Sequence, residues 1–172
     1  MRLFTAICPD EEIKNALFAA ENEAAKSAAG RFSLKENLHL TLVFIGETER
    51  CEDAKNAISQ IEFPAFDIKT SGIGTFEKGI FFAEIEKNEK LSLLQKTVAE
   101  KLEAAGFEFE EREYIPHITL ARKFAESENF NGAAVIKKLP EKPFRAEKIS
   151  LMKSENTEGI LRYTEIYSKE LY

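Results

Sequence analysis

Two short segments of this 172-residue chain match each other, and they carry its only two histidines. Residues 38–42 read Leu-His-Leu-Thr-Leu and residues 116–120 read Pro-His-Ile-Thr-Leu. The pattern histidine, aliphatic residue, threonine, leucine therefore occurs twice, with 78 positions between His39 and His117. A repeat at this spacing predicts two similar halves packed against each other.

The order of predicted elements repeats with the same offset. Asp10 and the acids after it predict the start of a helix, and apolar residues then recur at helical spacing until Gly30. The second half has a matching helix that ends at Gly106. The remaining predicted elements are strands at 4–7 and 82–85, a strand at each histidine, and helices near 49–61 and 126–138.

The end of the chain favours antiparallel strands over a parallel sheet. Strand-like runs at 144–152 and 160–168 follow each other, with polar residues 154–159 between them, which is typical of a hairpin. We therefore predict an α+β fold with two pseudo-symmetric lobes. Each lobe is expected to hold an antiparallel sheet with helices on its outer side, and the histidine strands line a central cleft. Residues 1–172 are expected to form this single bilobal domain.

Each histidine strand presents an imidazole and a hydroxyl on one face. Side chains alternate along a strand, so His39 and Thr41 point the same way, as do His117 and Thr119. Two such strands related by a pseudo-two-fold axis form a symmetric pocket for one small tetrahedral anion. A single histidine beside a threonine is usually structural, but both histidines of the chain share the pattern, which favours a functional pair.

Composition limits the other classes of function. A net charge of −6 argues against coating a long nucleic acid, which needs a broad basic face, but it leaves room for binding one phosphate. With two histidines and two cysteines, Cys8 and Cys51, a four-ligand zinc site is not expected, and the acids show no two-metal spacing. We expect no cofactor. Because we also expect no signal peptide and no membrane span, the cytoplasm is the expected location. The expected oligomeric state is a monomer.

The paired motifs resemble those of the two-histidine phosphoesterases, and most closely the RNA 2',3'-cyclic phosphodiesterases of the ThpR/LigT type, once named 2'-5' RNA ligases. The likeness covers nearly the whole chain, including Arg2-Leu3-Phe4, the two motifs and Arg162-Tyr163-Thr164. It implies hydrolysis of RNA 2',3'-cyclic phosphate ends to 2'-phosphates, without a metal. It also implies that RNA 3' ends, or small cyclic or 2'-5' linked nucleotides, are the substrates.

The resemblance further implies that His39 is the proton donor and His117 the proton acceptor, with the 3'-oxygen as leaving group. The symmetry of the motifs alone leaves these two roles open. Histidine suits both, because its ordinary pKa is about 6.5. Thr41 and Thr119 are expected to donate hydrogen bonds to the non-bridging phosphate oxygens, where negative charge develops.

Two further substrate-binding candidates are Arg122 and Tyr163. Arg122 lies five positions after His117, so a regular strand would turn it to the opposite face, and only a bulge would bring it into the pocket. Its alternative is an exposed charge at the end of a strand. Tyr163 is the best placed of four aromatic residues for stacking on a base, ahead of Phe32, Phe81 and Tyr114. Core packing is the alternative for all four.

One departure from the family pattern concerns substrate contact. Family members usually carry a basic residue near position 80, where this chain has Lys78-Gly79-Ile80. Either Lys78 takes the place of this basic residue from a shifted position, or the contact between the protein and the RNA backbone is weaker. Two alternative functions also stay open, namely 2'-5' RNA ligation by the reverse reaction and a non-catalytic module that binds nucleotides or RNA ends.

Overall fold

The computed structural model describes residues 1–110 and 112–172. Its strands are β1 (Arg2–Ile7), β2 (Ala28–Phe32), β3 (Leu40–Glu47), β4 (Phe66–Ile68), β5 (Thr70–Phe76), β6 (Ile80–Ile85), β7 (His117–Glu126), β8 (Phe144–Ala146), β9 (Lys148–Thr157) and β10 (Ile160–Glu170). Its helices are α1 (Glu11–Ala25), α2 (Cys51–Ser59), α3 (Glu89–Ala104) and α4 (Gly132–Lys138), with short 3₁₀ turns at Lys35–Asn37 and Glu77–Gly79. The predicted order of strand, helix, histidine strand and helix occurs twice, except that β2 is an additional strand in the first half and His39 lies directly before β3.

Antiparallel pairing runs through the whole sheet. The strand order is β10-β9-β1-β3-β7-β6-β5, β2 also pairs with β7, and β4 and β8 form a separate pair. All of these pairs are antiparallel, so the predicted α+β class with antiparallel strands is confirmed. The two histidine strands, β3 and β7, join through one paired position, Leu40 with Ile118. The division of residues 1–172 into lobes of a single domain stays a prediction.

Side-chain caps explain where three helices begin. The Asp10 carboxylate accepts a hydrogen bond from the backbone N–H of Ile13 at 2.9 Å, as predicted for the start of α1. Asn88 caps α3 and Asn131 caps α4 in the same way. Each cap satisfies one of the backbone donors that a helix start leaves unpaired. Gly106 follows the end of α3 with a φ of 85°, which confirms the predicted stop.

The predicted end of the first helix is wrong. Helix α1 ends at Ala25, and Gly30 lies inside β2, a strand that was not predicted. A Cβ at Gly30 would lie 3.2 Å from the carbonyl oxygen of Arg122 and 3.3 Å from the Cα of Phe124. Gly30 therefore allows the β2 backbone to approach β7 closely.

Two other boundaries also shift. Helix α4 begins at Gly132 rather than near 126, because β7 continues to Glu126. The hairpin turn between β9 and β10 is confined to Glu158 and Gly159, whose φ angles are 55° and 82°. Two consecutive positive φ angles match the tight turns that connect antiparallel strands, so the polar residues on either side belong to the strands.

The helices cover one face of the sheet. Leu3, Leu40 and Ile118 are buried in one core together with Leu17 of α1 and Leu94 of α3. Helix α1 packs against α4 and β7, and α3 packs against α2 and β3. Among the described residues, none of the helices is both long and apolar enough to cross a membrane.

The opposite face carries a smaller apolar cluster. Phe4, Ala6 and Met152 are buried there, with Cys8 and Tyr163 packed against them. Phe4 follows Leu3 directly, so the alternation of side chains along β1 places it on the face away from the helices. This face bears the candidate site residues predicted from the sequence.

Helix α1 also buries a carboxyl group. Glu21 is 1% exposed, and neither of its carboxylate oxygens has a hydrogen-bond partner among the described residues. Burial raises the pKa of Glu21 to about 9, so this side chain is neutral in the folded protein at pH 7.

Candidate active site

A β-bulge in β7 directs Arg122 to the same face as the histidines. Residues 81–82 of β6 pair with Ala121 and Thr119, which leaves Leu120 between them without a partner. Leu120 and Ala121 are both buried, so the alternation of side chains shifts by one position at this point. The bulge that the sequence required for Arg122 to enter the pocket is therefore present.

Strand β3 has the same irregularity. Residues 5–6 of β1 pair with Val43 and Thr41, which leaves Leu42 unpaired, and Leu42 and Val43 are both buried. Phe44 then returns to the site face. With the offset of 78, Phe44 corresponds to Arg122, so the two halves present different side chains at equivalent positions.

Each histidine ring is held in position by a hydrogen bond at one ring nitrogen. The Nδ1 atom of His39 lies 2.7 Å from the carbonyl oxygen of Asn37, and Nδ1 of His117 lies 2.7 Å from that of Ile115. A carbonyl oxygen only accepts, so each Nδ1 carries a proton, and in the neutral ring Nε2 is left as an acceptor. Nε2 of His39 accepts a hydrogen bond from the Thr41 hydroxyl at 2.9 Å.

Aromatic rings surround His39. The Phe4 ring lies 4.8 Å from the imidazole and the Tyr163 ring lies 5.0 Å from it, edge to face. Burial lowers the pKa of His39 to about 4, against the opposing effect of the hydrogen bond to Asn37, and the positive charge of Arg122 lowers it further. His39 is thus neutral at pH 7.

His117 has its own aromatic neighbours and is less strongly perturbed. Phe76 lies 4.9 Å from its ring and Phe82 lies 5.2 Å from it. Burial lowers the pKa of His117, and the charge of Arg122 acts in the same direction. The positive charge of Arg122 therefore lowers the pKa values of both histidines.

The two halves hold each other at the threonines. Tyr114, which precedes β7, donates a hydrogen bond from its hydroxyl to the carbonyl oxygen of Thr41 at 2.9 Å. Ser33, which precedes β3, donates in the same way to the carbonyl oxygen of Thr119 at 3.0 Å. Each half therefore fixes the backbone of the other half's threonine.

A cavity of about 270 Å³ opens on this face beside His39. It is lined by His39, Thr41, Arg122 and Tyr163 together with Arg2, Phe4, Phe44, Ser154 and Leu161. His117 and Thr119 lie on the neighbouring strand and do not line it. The structure thus brings four of the six predicted site residues into one cavity and places the other two next to it, with Thr119 paired to Phe82.

The other aromatic candidates have structural positions. Phe81 is 1% exposed and its ring stacks on Phe124 at 4.2 Å, so it belongs to the core. Phe32 packs edge to face against the same ring. Tyr114 is used in the bond to Thr41. Among the four predicted aromatic residues, Tyr163 alone lines the cavity.

The basic residue expected near position 80 is replaced by an apolar one. Ile80 stands where the offset of 78 would place a counterpart of Arg2. Lys78 lies in the turn before β6, with a φ of 65°, and does not line the cavity. Arg2 itself lines the cavity and lies 5.0 Å from the centre of the Phe44 ring.

Sequence reasoning gave Asn37 no role, although it holds two parts of the site together. Its carbonyl oxygen fixes His39, while its side-chain amide donates to the carbonyl oxygen of Leu161 at 2.7 Å. Its side-chain oxygen accepts from the backbone N–H of Tyr163 at 3.2 Å. Asn37 is 8% exposed, so these bonds replace lost contacts with water.

A comparison with protein families decides the relationship. The profile described as the 2'-5' RNA ligase superfamily matches residues 9–158. The chain belongs to this superfamily. This membership agrees with the resemblance that the two histidine motifs predicted.

Individual superfamily members are similar over most of the chain. An RNA 2',3'-cyclic phosphodiesterase of Thermotoga maritima is 32% identical over 131 residues, which cover 71% of this chain and 70% of the relative. A protein of the same name from Methanocaldococcus jannaschii is 36% identical over 126 residues, 71% of each chain. The crystal structure of E. coli LigT in apo form has a TM-score of 0.84 at 22% identity, covering 99% of this chain and 96% of LigT.

The donor groups of the candidate site are imidazole, hydroxyl and guanidinium groups. In residues 1–110 and 112–172, no group of three or more histidine, cysteine, aspartate or glutamate side chains is placed to hold a metal ion. Cationic and neutral donors of this kind suit an anionic phosphate ester.

Proposed function

We propose that this protein hydrolyses the terminal 2',3'-cyclic phosphate of RNA to a 2'-phosphate by acid–base catalysis with two histidines. The proposal depends most on the matched pair of imidazoles, each fixed at Nδ1 by a carbonyl oxygen two residues earlier, next to Arg122. The relatives at 32% and 36% identity carry the name of this activity.

The proposed reaction transfers two protons. His117 Nε2 takes a proton from water as the water oxygen bonds to phosphorus. The bond from phosphorus to the 3'-oxygen breaks, and His39 gives its Nε2 proton to that oxygen. The products are a 2'-phosphate and a free 3'-hydroxyl, and exchange with solvent restores both histidines.

His39 must gain a proton before it acts as the acid. Burial lowers its pKa to about 4 before substrate binds. A cyclic phosphate carries one negative charge, and an opposite charge within a few ångströms raises the pKa of a histidine. Substrate binding and protonation of His39 are therefore coupled, and the acid forms where it is needed.

Thr41 changes partner in this scheme. Its hydroxyl donates to Nε2 of neutral His39 at 2.9 Å. Once Nε2 is protonated it no longer accepts, so the hydroxyl is released to donate to a non-bridging phosphate oxygen. Thr119 and Arg122 donate to the same anion, and Tyr163 offers its ring to the terminal base.

The active form in this proposal is a monomer, because a net charge of −6 disfavours self-association. Cys8 and Cys51 are both free, as is usual in the reducing cytoplasm, where we place the reaction. The proposed substrates are RNA 3' ends, or small cyclic or 2'-5' linked nucleotides.

The first experiment incubates a short RNA that ends in a 2',3'-cyclic phosphate with the protein in EDTA. Wild type should form the 2'-phosphate, whereas His39→Ala and His117→Ala should lose at least about a hundredfold in rate. Arg145→Ala is the control, because Arg145 is exposed on β8 and does not line the cavity. Formation of a 2'-5' linked product would assign ligation instead, and binding without turnover would leave a binding module.

A second substrate assigns the two histidine roles. Replacing the 3'-oxygen by sulfur creates a leaving group that departs as a thiolate and needs no proton donor. This substrate should restore most of the rate of His39→Ala and none of the rate of His117→Ala. Rescue of His117→Ala alone would reverse the proposed roles.

A further inference from the structure

Three arginines on the site-bearing face have no acidic partner among the described residues. Arg50, Arg112, Arg145 and Arg162 each have a carboxylate oxygen within 4 Å. Within the two described segments of the chain, Arg2, Arg31 and Arg122 have none at that distance. The chain has 30 acidic residues and a net charge of −6, so arginines without an acidic partner are notable. Their grouping on one face indicates a binding site for an anionic ligand.

Arg31 extends the positive surface of the cavity by one strand. Arg31 of β2 pairs directly with Arg122 of β7. Residues opposite each other in an antiparallel pair share a face, with Cα atoms about 5 Å apart. Both side chains are exposed, and only Arg122 lines the cavity.

Two guanidinium groups at opposed positions repel each other. Like charges directly opposite on a sheet are destabilising. A phosphate between them removes this repulsion and offers oxygens to both forks. The juxtaposition therefore fits an anion that both arginines bind.

The other side of the site is unsuitable for a polyanion. Glu84 pairs in register with His117, and its carboxylate oxygens lie over Gly72 and Gly74 of β5. Ile80 replaces a counterpart of Arg2 there. An RNA chain with its end at the histidines is therefore attracted towards the arginines and repelled from the Glu84 side.

We propose that Arg31 binds the phosphodiester that joins the terminal nucleotide to the preceding one, so that the enzyme selects RNA of two or more nucleotides over mononucleotide 2',3'-cyclic phosphates. Arg122, whose guanidinium has five N–H donors, contacts this phosphate as well as the terminal one. This inference rests on the proposed function. It assigns Arg31 as a specificity-determining residue outside the cavity.

The test compares a nucleoside 2',3'-cyclic phosphate with a dinucleotide that ends in the same group. Wild type should have the higher kcat/KM for the dinucleotide. Arg31→Ala should lower the ratio of the two kcat/KM values about tenfold, through the KM of the dinucleotide, because a charge-assisted contact is lost. Arg145→Ala is the matched control and should leave the ratio unchanged.

Two further measurements separate phosphate binding from a change in structure. Each phosphate contact to a single strand contributes about −0.7 to the slope of log affinity against log salt concentration. Arg31→Ala should therefore flatten the dinucleotide's slope by about 0.7, and Arg31→Lys should retain it. Wild type should not prefer a dinucleotide with an uncharged methylphosphonate link over the mononucleotide. The kcat/KM for this dinucleotide should be the same in wild type and Arg31→Ala.

The outcomes distinguish the two proposals. Turnover of both substrates with the same ratio in wild type and Arg31→Ala would overturn the arginine site and leave the proposed function intact. Absence of turnover in wild type would overturn the proposed function. The arginine site is then tested by binding. Wild type should bind the charged dinucleotide more tightly than the methylphosphonate-linked one, and Arg31→Ala should lower the ratio of these two affinities.

Discussion

Replacing the buried carboxyl of Glu21 should stabilise the protein, by an amount that depends on pH. Burial raises the pKa of Glu21 to about 9, against 4.5 for the unperturbed group. The folded carboxyl is thus neutral at pH 7, whereas the unfolded chain carries it ionised. Glu21→Gln removes the ionisation from the unfolded state and keeps the size of the side chain.

The sign and size follow from proton linkage. A carboxyl whose folded pKa is raised contributes its full stability below pH 4.5 and loses it as pH rises towards 9. The loss is about 1.36 kcal/mol per pH unit, or roughly 3 kcal/mol at pH 7. That is a large share of the 5–15 kcal/mol typical of a domain of ordinary stability. The gain from Glu21→Gln should therefore grow by about 2.7 kcal/mol between pH 6 and pH 8.

Urea unfolding of wild type and Glu21→Gln at pH 6, 7 and 8 measures this gain directly. Glu12→Gln is the control, since Glu12 lies exposed on the same helix and should change the unfolding free energy by less than about 0.5 kcal/mol at each pH. A gain that is equal at pH 6 and pH 8 would refute the reasoning, because it would show that Glu21 does not titrate differently in the two states.

Two further predictions concern the site. Gly74→Ala should lower kcat at least about tenfold, because its Cβ would lie 2.6 Å from the Phe82 ring, which lies against His117. Steady-state kinetics checks this against Gly132→Ala, whose Cβ meets its nearest neighbour at 3.5 Å, and equal effects of the two changes would contradict it. The pH profile of kcat/KM should peak below pH 6.5, since the pKa values of both histidines are lowered in the free protein, while the kcat profile should lie at higher pH. A kcat/KM that still rises above pH 7 would count against this.

The features that local sequence determines were predictable. Helix α1 begins at Asp10 because a capping side chain and an apolar period coincide there, and Gly106 ends α3 through its positive φ. Each threonine lies two positions after its histidine, and strand alternation alone places such a pair on one face. These predictions needed no knowledge of distant contacts.

The features that depend on distant contacts were not predictable. Strand β2 begins Ala28-Ala29-Gly30, a sequence of low strand propensity, and pairing with β7 holds it in place. Asn37 acts through the carbonyl oxygen of Leu161, 124 positions away. The bulge left one local trace, because Leu120 and Ala121 are apolar neighbours where alternation would demand a polar residue, and it is this bulge that directs Arg122 to the site.

The histidine strands of the two matched halves pair at one position, Leu40 with Ile118, and joining both halves in one chain has a consequence for how such a site diverges. A homodimer of single halves would contain two identical histidines with one shared pKa, so neither would be assigned to give or to take the proton. Joining both copies in one polypeptide frees each to mutate alone. In this chain the Tyr163 ring packs edge to face on His39, and Arg122 occupies the position equivalent to Phe44 of the other half. The two histidines therefore lie in different surroundings, which allows them different pKa values and different parts in one reaction.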